Sequence, residues 1–125
     1  MLITSRDMID LVAEMLATAY VQIFLLFVVM DIASGLTKAI LGKQANSTKG
    51  LLGLVKHMLV VMLVLSVYPY MRILNFDSFA TAFVIFYVVT YAISIIENLH
   101  VLGIPFPSFI SDKLEKIKDK VDKAK

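Results

Sequence analysis

Cysteine and tryptophan are absent from this chain of 125 residues. The lack of cysteine excludes disulfides, thiolate catalysis and cysteine metal sites. Without tryptophan, any aromatic belt at a membrane interface has to rest on tyrosine, of which there are five. Charged residues are also nearly absent from three long stretches and collect between and after them. This distribution is typical of membrane-spanning helices joined by wet loops.

The three stretches are long enough to cross a bilayer. Hydrophobic residues make up 59% of the chain, whereas a soluble domain has about 45–50%. Because about 17–25 helical residues cross the hydrocarbon core, we predict an all-α membrane protein with three transmembrane helices, at about residues 11–30, 51–71 and 79–96. The second segment contains Lys56, whose ammonium group must reach the headgroups or meet a counter-charge.

A charged segment follows the third span. Gly103, Pro105 and Pro107 interrupt the helical pattern after that span. Beyond them, acidic and basic side chains alternate around a narrow apolar seam, which indicates an amphipathic helix. We therefore expect a transmembrane region over residues 1–107 and a charged tail helix over residues 108–125.

Lysine and arginine are distributed unequally between the loops. The first loop holds Lys38, Lys43 and Lys49 and the tail holds six lysines, whereas the second loop holds Arg72 alone. The positive-inside rule then places the N-terminus outside and the C-terminal tail in the cytoplasm. Three spans also require the two ends to lie on opposite sides, so the charge bias and the span count agree. In the first loop, Gly42 is a natural stop for a helix that continues from the first span.

Three charged residues lie at similar predicted depth near the cytoplasmic boundary. Asp31 and Glu97 end the first and third spans, and Lys56 sits about one turn inside the second. An unpaired charge in hydrocarbon is costly, so we predict that Lys56 pairs with one or both carboxylates. The alternative is that each side chain reaches the headgroups independently.

The third span carries polar side chains along one broad face: Tyr87, Thr90, Tyr91 and Ser94. A polar stripe on a membrane helix turns toward water or protein and away from lipid. Two interpretations remain open. The face either looks toward water or another subunit, or packs against the first two spans.

Two polar motifs flank the spans. The first leaves the first span through an acidic residue and enters the second through small and basic positions: Asp31, Ser34, Gly35, Lys38, Ser47, Gly50, Gly53 and Lys56. The second closes the third span and turns toward the tail: Ser94, Glu97, Asn98, Gly103, Pro105 and Pro107. In order, spacing and hydrophobic frame, the chain resembles the family of phage-lysis and toxin-secretion holins over roughly residues 15–116. Family members often carry a further acid deep in the second span, where this chain has Ser66, Tyr68 and Tyr70.

The resemblance implies a function. Members of that family accumulate in the bacterial cytoplasmic membrane, form homo-oligomers and open holes at a set time. The holes release or activate a cell-wall-degrading endolysin, or in a toxin-linked branch aid toxin release. The implied partners are the lipid bilayer, further copies of the chain and an endolysin that need not touch it, with no enzymatic activity and no cofactor. The alternative is a non-lytic antiholin or a membrane anchor that is inert alone.

Other classes of site find little support in the residues. His57 and His100 are the two histidines, and neither has clustered carboxylates at ligand spacing, so we expect no metal site. The charged tail alternates signs and lacks interleaved aromatic residues, so we expect no nucleic-acid binding.

Overall fold

The computed structural model describes residues 3–43 and 46–123, and within these ranges the chain is helical with short connections and no strand. The helices are α1 (Ser5–Leu16), α2 (Ala19–Leu41), α3 (Ser47–Ile73), α4 (Asp77–Val101) and α5 (Ser108–Lys123). Of these, α2, α3 and α4 are long and apolar enough to cross a membrane. The predicted all-α class with three candidate spans is confirmed.

The first candidate span starts later than residues 11–30 suggested, because the helix breaks before Ala19. Thr18 has extended backbone angles and separates α1 from α2. Its hydroxyl donates to the carbonyl of Glu14 at 3.0 Å, and the side-chain amide of Gln22 donates to the carbonyl of Leu16 at 3.0 Å. These two side chains donate hydrogen bonds to carbonyls in the last turn of α1, so they replace backbone hydrogen bonds lost at the break.

α1 is a separate short amphipathic helix. Its start is a capping box in which the amide of Asp7 donates to the Thr4 hydroxyl at 3.1 Å and the amide of Thr4 donates to the Asp7 carboxylate at 3.2 Å. Met15 is buried in the core, and α1 packs on both α2 and α3. Separating α1 leaves its acidic residues outside the apolar length of α2.

Left-handed residues end the three long helices. At the end of α3, Asn75 has φ 64°, and the amide of Phe76 donates back to the carbonyl of Met71 at 2.8 Å. At the end of α4, Gly103 has φ 79° and the amide of Ile104 donates back to the carbonyl of Leu99 at 2.9 Å. Both are Schellman motifs, which satisfy carbonyls that the helix leaves without partners.

The stop after α2 differs in detail from the glycine stop expected at Gly42. The helix does end at Leu41, but Gly42 keeps φ −82°. The left-handed conformation falls on the next residue, Lys43, with φ 54°. A lysine there carries the steric cost that a glycine would have avoided.

α4 is the central helix, and it packs against α2, α3 and α5. The core between the spans is formed by Val21, Phe24, Val28, Val64, Tyr68, Ala80, Val84 and Tyr91, together with Met15 of α1. By contrast, α3 exposes large apolar side chains along most of its length, among them Leu51, Leu59 and Met62. Apolar exposure on that scale suits contact with lipid.

Candidate functional site

α2 and α4 pack side by side and run in the same direction. Phe24 of α2 meets the rings of Tyr87 and Tyr91 edge to face, and farther along the same two helices Asp31 meets Ser94. The side chains along this α2–α4 seam recur at alternating spacings of three and four: Val21, Phe24, Val28, Asp31 and Gly35 on α2, and Ala80, Val84, Tyr87, Tyr91, Ser94 and Asn98 on α4. That spacing is typical of helices that pack as left-handed coiled coils. The seam is apolar at its start and polar where both helices approach their C-terminal ends.

Asp31 lies at the centre of the polar part of the seam and is 7% exposed. The hydroxyl of Ser94 donates to its Oδ1 at 2.6 Å, and the side-chain amide of Asn98 donates to the same oxygen at 3.1 Å. The Asn98 amide also donates to the hydroxyl of Ser34 at 3.0 Å, and that hydroxyl donates to the Asp31 carbonyl at 3.2 Å. Three side-chain hydrogen bonds therefore join α2 to α4 at this level.

α3 contributes His57 to the same cluster. Its Nε2 lies 3.8 Å from Oδ2 of Asp31, and its Nδ1 lies 2.8 Å from the hydroxyl of Tyr91. The neutral ring donates from one nitrogen, whereas the protonated ring donates from both and forms an ion pair with the carboxylate. All three candidate spans thus converge on one polar cluster, which consists of Asp31, Ser34, His57, Tyr91, Ser94 and Asn98.

The polar cluster supplies hydrogen-bond donors to the Asp31 carboxylate inside an apolar bundle. A charged side chain at membrane depth costs at least about 2.5 kcal/mol when it has no partner. In the described part of the chain, no buried side-chain nitrogen or oxygen lacks a hydrogen-bond partner. The arrangement can therefore hold the rotation and register of α2 against α4, as a polar residue does at a single seam position of a coiled coil.

The same geometry does not fit nucleophilic catalysis. Ser94 donates to Asp31, whereas the imidazole of His57 faces Asp31 and Tyr91. A serine nucleophile requires the histidine to accept its proton, and these contacts do not provide that relay. Within residues 3–43 and 46–123, no group of three or more His, Asp or Glu side chains is placed to hold a metal ion.

The structure brings Asp31 to different partners from those predicted. Lys56 and Glu97 are both exposed, and the basic side chain that lies within 4 Å of the Asp31 carboxylate in the described residues is His57. The reason is helical geometry, since successive residues point about 100° apart around a helix. His57 faces the seam, so the adjacent Lys56 points toward the surface of the bundle. Asn98 also faces the seam, so the adjacent Glu97 points outward.

The polar face of α4 points into the bundle in the single chain. Tyr91 and Ser94 join the polar cluster, and the ring of Tyr87 packs against Phe24. The Thr90 hydroxyl donates to the carbonyl of Phe86 on its own helix at 2.8 Å. Of the two open interpretations, packing against the first two spans describes the isolated subunit.

The remaining motif residues have structural positions. A Cβ on Gly35 would lie 3.6 Å from the Asn98 amide nitrogen, an ordinary van der Waals contact, so Gly35 faces α4 without being required there by close packing. Gly50 and Gly53 have no such neighbour within 4 Å. Ser47 is the first residue of α3, after an Asn46 N-cap that accepts two backbone amides. The others lie at the end of α2 or in the connector after α4: Lys38, Gly103, Pro105 and Pro107.

Two sets of contacts were not anticipated from the sequence. The first set is that of His57, and its position beside Lys56 in an apolar run was the available signal. At the opposite end of the bundle, Arg72 pairs with Asp77 at 3.0 Å across the α3–α4 turn. Arg72 also donates to the hydroxyl of Tyr68 at 3.4 Å. This pair is largely exposed, so it contributes little beyond fixing the turn.

Comparison with known proteins relates most of the chain to one family. A family model described as the bacteriophage holin family matches residues 12–119. This range contains every residue of the polar cluster. No solved structure matches the chain.

Curated relatives match over most of their length. The "Probable holin" of Bacillus phage phi105 is 31% identical over 104 residues, which cover 82% of this chain and 77% of the relative. "Uncharacterized protein CPE0383" of Clostridium perfringens is 32% identical over 98 residues, or 77% of this chain and 73% of the relative. "Uncharacterized protein YqxH" of Bacillus subtilis is 29% identical over 107 residues, or 85% and 76%.

Proposed function

We propose that this chain, which belongs to the bacteriophage holin family, oligomerises in the bacterial cytoplasmic membrane and forms holes during host lysis. The observation that carries the proposal is the family match across residues 12–119, which includes all three candidate spans. The relative named "Probable holin" supports it. The holes release or activate a cell-wall-degrading endolysin, or aid toxin release. This is a lesion-forming role and not an enzymatic one.

The proposed orientation places α1 outside and α5 in the cytoplasm. It is supported by the lysines of the α2–α3 loop and of the tail, which the positive-inside rule assigns to the cytoplasmic side. In this orientation the polar cluster lies toward the cytoplasmic end of the bundle, because α2 and α4 both run inward and carry the cluster in their C-terminal halves.

The polar cluster gives the subunit a closed state. Asp31, Ser94 and Asn98 are satisfied by one another inside one chain, so a lone subunit presents a mostly apolar surface to lipid. When subunits accumulate, rotation of α4 away from α2 would turn these groups toward water in an assembly. Lesion formation then requires breaking the intrachain hydrogen bonds and replacing them with water or contacts between subunits.

Inducing the chain alone in a bacterial host tests the proposal. We expect growth to stop and the membrane potential to collapse abruptly, and co-expressed endolysin then to lyse the cells. Liposomes loaded with probes of graded size would report the width of the holes. Stable growth and potential at full membrane accumulation would overturn lesion formation. If the chain also delays lysis by a lytic holin, that result would establish the antiholin alternative.

A further inference from the structure

α4 carries a second buried face that the α2–α4 seam does not explain. Val89, Ala92 and Ile96 are at most 9% exposed, yet none of them belongs to the core cluster between the spans. With the half-buried Ile85 and Leu99 they recur at alternating spacings of four and three. This second face lies about 150° around α4 from the α2–α4 seam.

α5 packs on α4 and is the helix available to cover this second face. α2 and α3 approach α4 through the seam and the core cluster, and α5 is the other helix that packs on α4. The less exposed apolar side chains of α5 with described positions also share one side of their helix: Ile110, Leu114 and Ile117. Because the connector is short and α5 packs on α4, an antiparallel return of α5 along α4 accounts for the contact between them.

Such packing conflicts with a membrane-inserted α4. Val89 lies about 18 Å along α4 from the end at Val101, so a helix that reaches Val89 from the cytoplasmic end would enter the hydrocarbon core. Nine of the sixteen residues of α5 are charged, and charged side chains are strongly disfavoured there. This cost favours departure of α5 toward the headgroups when α4 spans the bilayer, and the second face of α4 is uncovered each time α5 leaves.

We propose that the second face of α4, centred on Val89, Ala92 and Ile96, is the surface by which two copies of the chain associate, and that α5 occupies it beforehand. This inference rests on the proposed function, since it requires α4 to span the membrane. α5 is a weak occupant, because Ser111 and Lys118 interrupt its apolar side.

A second copy fits the uncovered face better than lipid does. Copies inserted in one orientation present their α4 helices in parallel, and a shared heptad spacing lets two identical faces interlock. Val89 and Ile96 fall at equivalent heptad positions, with Ile85, Ala92 and Leu99 at the other core position. β-branched residues at the position shared by Val89 and Ile96 favour parallel pairs of helices. The small side chain of Ala92, which lies between them, lets the two backbones approach closely.

Disulfide crosslinking in the full chain tests the surface, because the natural sequence contains no cysteine. Ala92→Cys or Ile96→Cys, oxidised in native membranes, should give covalent dimers that rise severalfold as the membrane depolarises. Met62→Cys, on the exposed side of α3, is the matched control and should stay mainly monomeric. Depolarisation without dimers at Ala92→Cys and Ile96→Cys, or with equal crosslinking at Met62→Cys, would overturn the proposed surface. Absence of depolarisation in the unsubstituted chain would instead count against the proposed function.

Loosening α5 tests the occupancy. Leu114→Ser with Ile117→Ser removes apolar contacts of α5, so crosslinking at Ala92→Cys should begin at least twofold earlier after induction. Glu115→Ser with Lys116→Ser alters two exposed side chains of α5 and leaves its net charge unchanged, so its timing should match the unsubstituted tail. Both pairs are compared at equal membrane levels by immunoblot. Unchanged timing in the Leu114 and Ile117 pair would show that α5 does not restrain the surface.

Discussion

Removing the Ser94 hydroxyl should weaken the association of α2 and α4 by a measurable amount. This hydroxyl makes the shortest of the hydrogen bonds between the two helices, at 2.6 Å to Asp31. Interhelical hydrogen bonds in membrane proteins average about 0.6 kcal/mol and reach about 1.7 kcal/mol. A carboxylate acceptor places this bond at the upper end of that range, so Ser94→Ala should lower the free energy of unfolding by about 1–1.7 kcal/mol.

A double-mutant cycle isolates that contribution. Unfolding by a denaturing detergent in mixed micelles, followed by circular dichroism, would compare Ser94→Ala, Asp31→Ala and the double variant. The double variant should be less destabilised than the sum of the singles by about 1 kcal/mol, because each single change already breaks the same bond. Thr90→Val is the control, since the Thr90 hydroxyl bonds only to its own helix.

Two results would refute the reasoning. The first is a coupling energy below about 0.3 kcal/mol, which is within the range of independent sites. The second is a loss in Thr90→Val equal to that in Ser94→Ala, which would trace the effect to polar side chains on α4 in general. The cycle measures the stability of the subunit, so its result does not depend on whether the chain forms holes.

Three further predictions concern single positions. His57→Phe keeps a ring of similar size but removes the contacts to Tyr91 and Asp31, and should lower the free energy of unfolding by about 1–2 kcal/mol in the same micelle assay; no loss would mean that His57 does not hold α3 to the cluster. Lys43→Gly should raise that free energy by about 0.5–1 kcal/mol, because Lys43 has φ 54°; destabilisation would contradict a left-handed residue there. Gly103→Ala should raise the rate of amide hydrogen exchange at the end of α4 severalfold, because a φ of 79° disfavours any side chain. Steric contact is not the cause, since a Cβ would meet nothing within 4 Å. Unchanged exchange would contradict the Schellman motif.

The helical class and the three candidate spans could be predicted because they depend on local properties. Apolar length decides whether a helix can cross a bilayer, and glycine, proline and cap residues mark where helices end. Gly103 ends α4 through the left-handed conformation that only glycine adopts freely. The N-terminal boundary was not predictable in the same way. The polar residues around Thr18 are compatible with a continuous helix and also with a break in which they bind free carbonyls.

The partners of Asp31 could not be predicted, because they depend on how three helices are rotated about their axes. The sequence indicated that a buried acid at the end of the first span needs partners, and Ser94 and Asn98 stood out in the second motif. Lys56 and His57 are adjacent on α3 and point about 100° apart, so the rotation of α3 about its axis decides which of them meets Asp31. That rotation is set by the packing of side chains such as Phe24, Val64 and Tyr91 across the whole bundle.

The sequence by itself therefore determined that the chain is helical, apolar enough to span a membrane three times, and punctuated at its loops. These properties follow from residue composition within single segments. The tertiary structure decided which polar groups meet at Asp31, where α1 separates from α2, and that α5 packs on α4. Those outcomes depend on contacts between residues distant in the chain, and their geometry is determined only when the helices pack together.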